Sequence, residues 1–129
     1  MVSNTIRFQN REGLRLHGKL ERPPGVEPEH WVVFAHCFTC SSDIQAARSI
    51  AEGLTGRGFG VFRFDFTGLG ESEGDFADTH FSSNVADLVD AAHFLRDKGR
   101  KVRILVGHSL GGAAVLQAAG RIQDVVAVA

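Results

Sequence analysis

The stretch that most constrains this chain is Gly107-His108-Ser109-Leu110-Gly111-Gly112. Val102-Arg103-Ile104-Leu105-Val106 precedes it, a short and nearly continuous apolar run of the kind a buried parallel strand shows. Ala113 to Ala119 follows, small and helix-favouring. A strand that passes through G-x-S-x-G into a helix must turn sharply, which lifts the serine into a strained, exposed position. Glycines two residues to either side, Gly107 and Gly111, let the flanking elements approach with no Cβ between them. The serine then sits at a helix N-terminus, where free N–H groups and the helix dipole favour negative charge. In acyl transfer that charge is the oxyanion of a tetrahedral intermediate, so Ser109 is the candidate nucleophile. The competing reading is that Ser109 merely caps the helix, serine being a preferred N-cap.

Composition narrows the partners. The 129 residues suffice for one domain with a buried core, and 43% hydrophobic with 22% charged residues is an ordinary globular mixture. Fourteen basic against fifteen acidic residues give a formal charge of −1, which argues against nucleic acid or an anionic membrane as partner. No apolar run reaches membrane-spanning length, and Met1-Val2-Ser3-Asn4 does not open a signal peptide. The two cysteines, close together in Cys37-Phe38-Thr39-Cys40, form no disulfide framework, and the expected location is cytoplasmic.

The pattern alternates strand and helix. Residues 5–9 and 14–21 read as a hairpin around Asn10-Arg11-Glu12-Gly13. In its second strand Leu14, Leu16, Gly18 and Leu20 share one face, and Arg15, His17, Lys19 and Glu21 share the other. That alternation predicts a sheet edge with one wet face and a solvated His17. Trp31 to Ala35 is apolar on both faces, hence a central strand. A helix is expected from Ser42, capped through Gln45, with Ile44, Ala47, Ile50, Ala51 and Leu54 inward and Gly56 and Gly58 at its end. Residues 60–66 form the next strand, with Phe62, Phe64 and Phe66 on one side. A helix over 83–98 buries Val85, Leu88, Val89, Ala92 and Leu95, and 124–129 begins a last apolar strand.

The expected fold is therefore α/β: a mostly parallel sheet with helices on both faces, preceded by an antiparallel hairpin. Ligands bind such sheets at the carboxyl ends of the strands. The segments 36–40, 66–74 and 107–112 all leave those ends. The glycine-rich Gly68-Leu69-Gly70-Glu71-Ser72-Glu73-Gly74 is not a nucleotide loop: it lacks the Gly-Lys-Ser/Thr ending, and Glu73 stands where G-x-G-x-x-G needs its third glycine.

Together these residues resemble the α/β-hydrolase superfamily. Gly107-His108-Ser109-Leu110-Gly111 matches its nucleophile elbow, and Arg63-Phe64-Asp65-Phe66-Thr67-Gly68-Leu69-Gly70-Glu71-Ser72 matches its R-x-D-x-x-G-x-G-x-S loop. His36-Cys37-Phe38 stands in the place of the usual His-Gly-x, with a Cβ at Cys37 where the family carries glycine. The combination is similar to the N-terminal part of the hydrolase half of bacterial α/β-hydrolase/OsmC fusion proteins. The resemblance implies a serine hydrolase acting on a small ester-like molecule, with no cofactor and no metal. It implies an oxyanion hole made by the backbone N–H groups of Phe38 and Leu110. His36, Cys37, Asp65, Gly68, Gly70, Ser72, Gly107 and Gly111 then support the site, with Asp65 and Arg63 structural and able to pair.

The family's chain order is Ser, then Asp or Glu, then His. All six histidines here precede Ser109, and His80 is the one internal substitute for the base. The expectation is a single hydrolase domain over 1–129 that stops after the strand following the elbow helix, without the triad's acid and histidine. Its last strand would be covered by a further portion of the protein or by self-association. Two other readings compete. One is a non-catalytic module. The other is thiol redox or metal chemistry at Cys37-x-x-Cys40 with His36, against which stand the absence of any proline after Pro28 for a thioredoxin-like cis bond and of an evident fourth zinc ligand.

Overall fold

Two sets of apolar side chains, one on each face of the strands, account for the architecture. The computed structural model describes residues 1–36 and 45–129. In chain order the elements are β1 (Val2–Gln9), β2 (Arg15–Arg22), β3 (Trp31–Ala35), α1 (Gln45–Thr55), β4 (Gly60–Phe64), α2 (Phe81–Asp97), β5 (Val102–Gly107), α3 (Leu110–Ala118) and β6 (Ala127–Val128). The six strands form one mixed sheet in the order β1-β2-β4-β3-β5-β6. The β1–β2 and β2–β4 pairs are antiparallel; β4, β3, β5 and β6 run parallel.

Every residue of β3 and β4 is buried, as strands at a sheet centre should be. On one face Phe8, Phe62, Phe64 and Phe66 pack with Leu88, Ala92 and Leu95 of α2 and with Ala114, Val115 and Ala118 of α3. Successive phenylalanine rings meet edge-on or stacked, 4.8 Å apart for Phe64 and Phe66. Burying each such ring contributes about 1.5–3 kcal/mol, so this face dominates cohesion. The α1 face holds a smaller cluster of Val32, Ala51 and Val61.

That smaller face carries charge, and here the wet-edge expectation for β2 fails. The hairpin lies at an edge of the sheet through β1, but β2 is covered between β1 and β4. His17 is 5% exposed and Glu21 1%, so neither is solvated. Neighbouring side chains on β4 and just past its end make this possible. Glu21 accepts a hydrogen bond from Nε of Arg63, and His17 pairs with Asp65. Alternation correctly separates the two faces of β2, but a polar face is buried when its groups find ionic or hydrogen-bonding partners on the neighbouring strand.

Element ends differ in places. Helix α2 begins at Phe81, because His80 forms a capping box with Ser83, and α1 is described from Gln45, leaving the Ser42 cap and Ile44 outside the described residues. Ile50, expected inward, is exposed, whereas Ala47 and Ala51 are buried. The last strand is short: only Ala127–Val128 pairs with β5.

Candidate active site

Helix α3 starts one residue after Ser109, which has φ +58° and ψ −122°. Few residues other than glycine tolerate positive φ, and outside the compact left-handed well the cost is of order 1–3 kcal/mol. The hydroxyl makes no capping hydrogen bond, and an N-cap residue would have extended backbone angles instead. Simple capping therefore does not account for this serine. Ser109 is exposed, and Leu110, first in α3, offers one of the N–H groups that a helix leaves without an internal acceptor.

The turn is held by close backbone approach. A Cβ on Gly111 would overlap the carbonyl oxygen of Ala35 and come within 2.5 Å of that of His36. A Cβ on Gly107 would overlap the backbone of Gly111 and Gly112. The His108 N–H donates to the Ala35 carbonyl at 3.0 Å. The end of β3 thus abuts the start of α3, with bare glycine between them.

Beside this contact Asp65 draws in two more segments. Its Oδ2 accepts from His17 Nδ1 at 2.9 Å and from the Glu71 N–H at 3.1 Å; its Oδ1 lies 3.7 Å from His36 Nε2. A carboxylate can only accept, so Nδ1 of His17 carries the hydrogen. Ser72 Oγ donates to the Asp65 carbonyl at 2.6 Å and accepts from the His17 N–H at 2.9 Å. Gly70, at φ +52°, has no room for a Cβ against the Asp65 carboxylate. The glycine loop is therefore wrapped on Asp65, and His36 stacks edge-on against Phe66 at 5.2 Å.

Segments 36, 65–72 and 107–111 meet at the carboxyl end of the sheet. Cys37, Phe38 and Cys40 lie outside the described residues, and with them the expected oxyanion donor Phe38 and the C-x-x-C reading. Among the described residues no group of His, Cys, Asp and Glu is placed to hold a metal ion. The partner of Arg63 that sequence reasoning did not name is Glu21, and the one it did not name for Asp65 is His17. A hairpin strand that alternates cleanly gave no signal that its polar face would be buried.

The strand order sets His17 apart from the elbow. In the order β2-β4-β3-β5, His17 is three strand spacings from the strand that carries Ser109, each about 4.8 Å. His80, the internal substitute for a base, is spent on α2: its Nδ1 accepts from the Ser83 N–H at 3.3 Å and its own N–H donates to Ser83 Oγ at 2.9 Å. It borders a cavity of about 570 Å³ shared with Asn10, Thr67, Asp78 and Asp87.

Asp87 closes a buried network below that cavity. Thr67 donates to its Oδ2 through both N–H (2.9 Å) and Oγ1 (2.7 Å), and Asn10 Nδ2 donates to its Oδ1 at 3.0 Å. Burial nonetheless holds its carboxyl above the usual 3.8, outweighing those hydrogen bonds. Between 3.8 and the raised folded value the unfolded chain has lost a proton that the folded chain keeps, so this group's contribution to stability falls as pH rises across that window. In Asp87→Asn the amide must turn its NH₂ toward Thr67 or toward the NH₂ of Asn10, costing about 1–3 kcal/mol. Urea midpoints of the two proteins should differ most in acid and converge as pH climbs through the window. A constant difference would mean that Asp87 does not titrate there.

Comparison with known proteins points one way. A family model described as serine aminopeptidase, S33, matches residues 26–129. The esterase domain of a Rhodothermus marinus protein superposes with a TM-score of 0.80 at 42% identity, covering 99% of this chain and 49% of that one. A Pyrococcus furiosus esterase, 19% identical, shares the fold with a TM-score of 0.87 over 98% of this chain and 47% of its own. The YfhR protein of Salmonella typhi is 29% identical over 119 residues, 92% of this chain and 41% of its own. The chain thus spans about half the length of these structures and less of YfhR. No helix among the described residues is long and apolar enough to cross a membrane.

Proposed function

The chain belongs to the serine aminopeptidase S33 family of the α/β hydrolases, and on that premise we propose that it carries the nucleophile of an acyl hydrolase for small esters, with Ser109 attacking the carbonyl carbon. The observation that carries this reading is the backbone of Ser109 at φ +58° with its hydroxyl unused by the helix it precedes. Strain of this kind persists where the surroundings enforce it, and here the Gly107–Gly111 approach does so.

In the proposed reaction Ser109 Oγ adds to the ester carbonyl as a histidine takes its proton. The resulting oxyanion is held by the Leu110 N–H and, by resemblance, that of Phe38. The same histidine then protonates the departing alkoxide, and water hydrolyses the acyl-enzyme. The histidine and its acidic partner are assigned to a portion of the protein beyond these residues. Two observations support that placement. The chain spans 49% of the Rhodothermus esterase domain, and Leu116, Val126 and Val128 leave an exposed apolar rim along α3 and β6. A second copy of the chain on the same rim is the alternative occupant.

A fluorophosphonate probe on the full-length protein tests the reading. Labelling mapped by mass spectrometry to the peptide containing Ser109 is expected, together with turnover of a short-chain nitrophenyl ester. Labelling at another residue, or none with an intact fold, would overturn it.

A further inference from the structure

His17 has no place in the reaction just described, yet it is buried and hydrogen-bonded to Asp65 at the end of the sheet where that reaction would occur. We propose that His17 is a positioning residue for Ser109, acting through Asp65 and His36 on the proposed hydrolytic site. Three strands and the start of α3 take part. His17 on β2 holds the Asp65 carboxylate at the end of β4; the same carboxylate lies 3.7 Å from Nε2 of His36 at the end of β3. The carbonyls of Ala35 and His36 leave no space for a Cβ at Gly111, the third residue of the turn that begins at Ser109. Each link is a side chain or backbone group at least nine-tenths buried, so displacement at one end has little slack to absorb it.

The electrostatics give the link a direction. Among the described residues Asp65 Oδ2 accepts from the His17 imidazole and from the Glu71 N–H. Without the imidazole, a carboxylate that is 1% exposed loses a partner it cannot replace with water. His36 Nε2 stands 3.7 Å from Oδ1 on the other side, and a carboxylate that turned toward it would draw the end of β3 toward β4 and away from Gly111. Misplacing a nucleophile by a fraction of an ångström slows its chemistry far more than it weakens substrate binding; a 1 Å error can cost about 10²-fold.

The experiment compares His17→Phe with His17→Asn in the full-length protein. Phenylalanine fills the space without a donor, whereas the asparagine NH₂ falls close to the Nδ1 position and can still reach Asp65. In His17→Phe the amides of 107–112 should exchange hydrogen faster while those of α2 hold their protection, and kcat on the nitrophenyl ester should fall about tenfold with KM unchanged. His17→Asn should restore both to within about threefold of wild type. Should His17→Phe not fold, His17→Gln serves instead, since its amide reaches past the Nδ1 position. Exchange at 107–112 that matches wild type, or that rises equally in α2, would overturn the proposal. Hydrogen exchange needs no turnover, so failure of the hydrolase reading would show separately, as absent probe labelling of the wild-type serine.

Discussion

Replacing Ser109 by glycine in the full-length protein should yield a more stable protein with no esterase activity. Both halves follow from the same backbone angle. At φ +58°, ψ −122°, a side chain is strained by an amount of order 1–3 kcal/mol, which glycine does not incur. Glycine returns roughly 0.5–1 kcal/mol of that through the extra freedom of its unfolded state. The expected net gain is about 0.5–2 kcal/mol, read as a higher urea midpoint with unchanged slope. Ser109→Ala keeps the Cβ and the strain, so its midpoint should stay within about 0.5 kcal/mol of wild type. On the proposed mechanism both variants should lose about 10⁴–10⁶ in kcat, the range seen where a triad nucleophile is removed and only binding and oxyanion contacts remain. A capping serine would behave in the opposite way, with alanine costing about 1 kcal/mol of stability and no activity. Turnover that survives in Ser109→Ala would reject the nucleophile assignment.

Much of this was legible in the residues, for reasons that can be named. Trp31–Ala35 is apolar on both faces, and a strand of that kind has only the sheet centre open to it. Gly107-x-Ser109-x-Gly111 marked a close approach because no other residue permits one. The face of β2 was not legible. Its alternation of Leu16, Gly18 and Leu20 with His17, Lys19 and Glu21 is the same whether the polar side meets water or meets Arg63 and Asp65. Local periodicity reports which residues share a face, and only the strand pairing decides what lies opposite. The pairing of Gly18 with Phe64 and of Glu21 with Val61 sets that register. His80 misled for a related reason. Its position in a loop near the site suggested chemistry, while the spacing to Ser83 that makes it a helix cap uses histidine in a role usually filled by Ser, Thr or Asp.

Two adjacent glycines should respond to the same substitution with opposite signs. Gly111→Ala would place a methyl group on the carbonyl oxygens of Ala35 and His36, both backbone atoms in a fully buried strand end. Backbone cannot rotate aside as a side chain can, so α3 must move away from β3. Overpacking of this kind costs about 3 kcal/mol, near the upper end of its usual range. A Cβ on Gly112 meets nothing nearer than the Gly107 carbonyl oxygen at 3.7 Å, an ordinary contact. Gly112→Ala should therefore gain about 0.5 kcal/mol, as alanine does for glycine within a helix. Urea unfolding of the two variants measures the contrast directly. The shift in Gly111→Ala should also carry into function, since the start of α3 holds Leu110 and aims Ser109. Probe labelling of Ser109 is expected to slow markedly in that variant and to stay near wild type in Gly112→Ala. Equal stability of the two would mean that β3 and α3 are not in the tight contact on which the geometry of Ser109 depends.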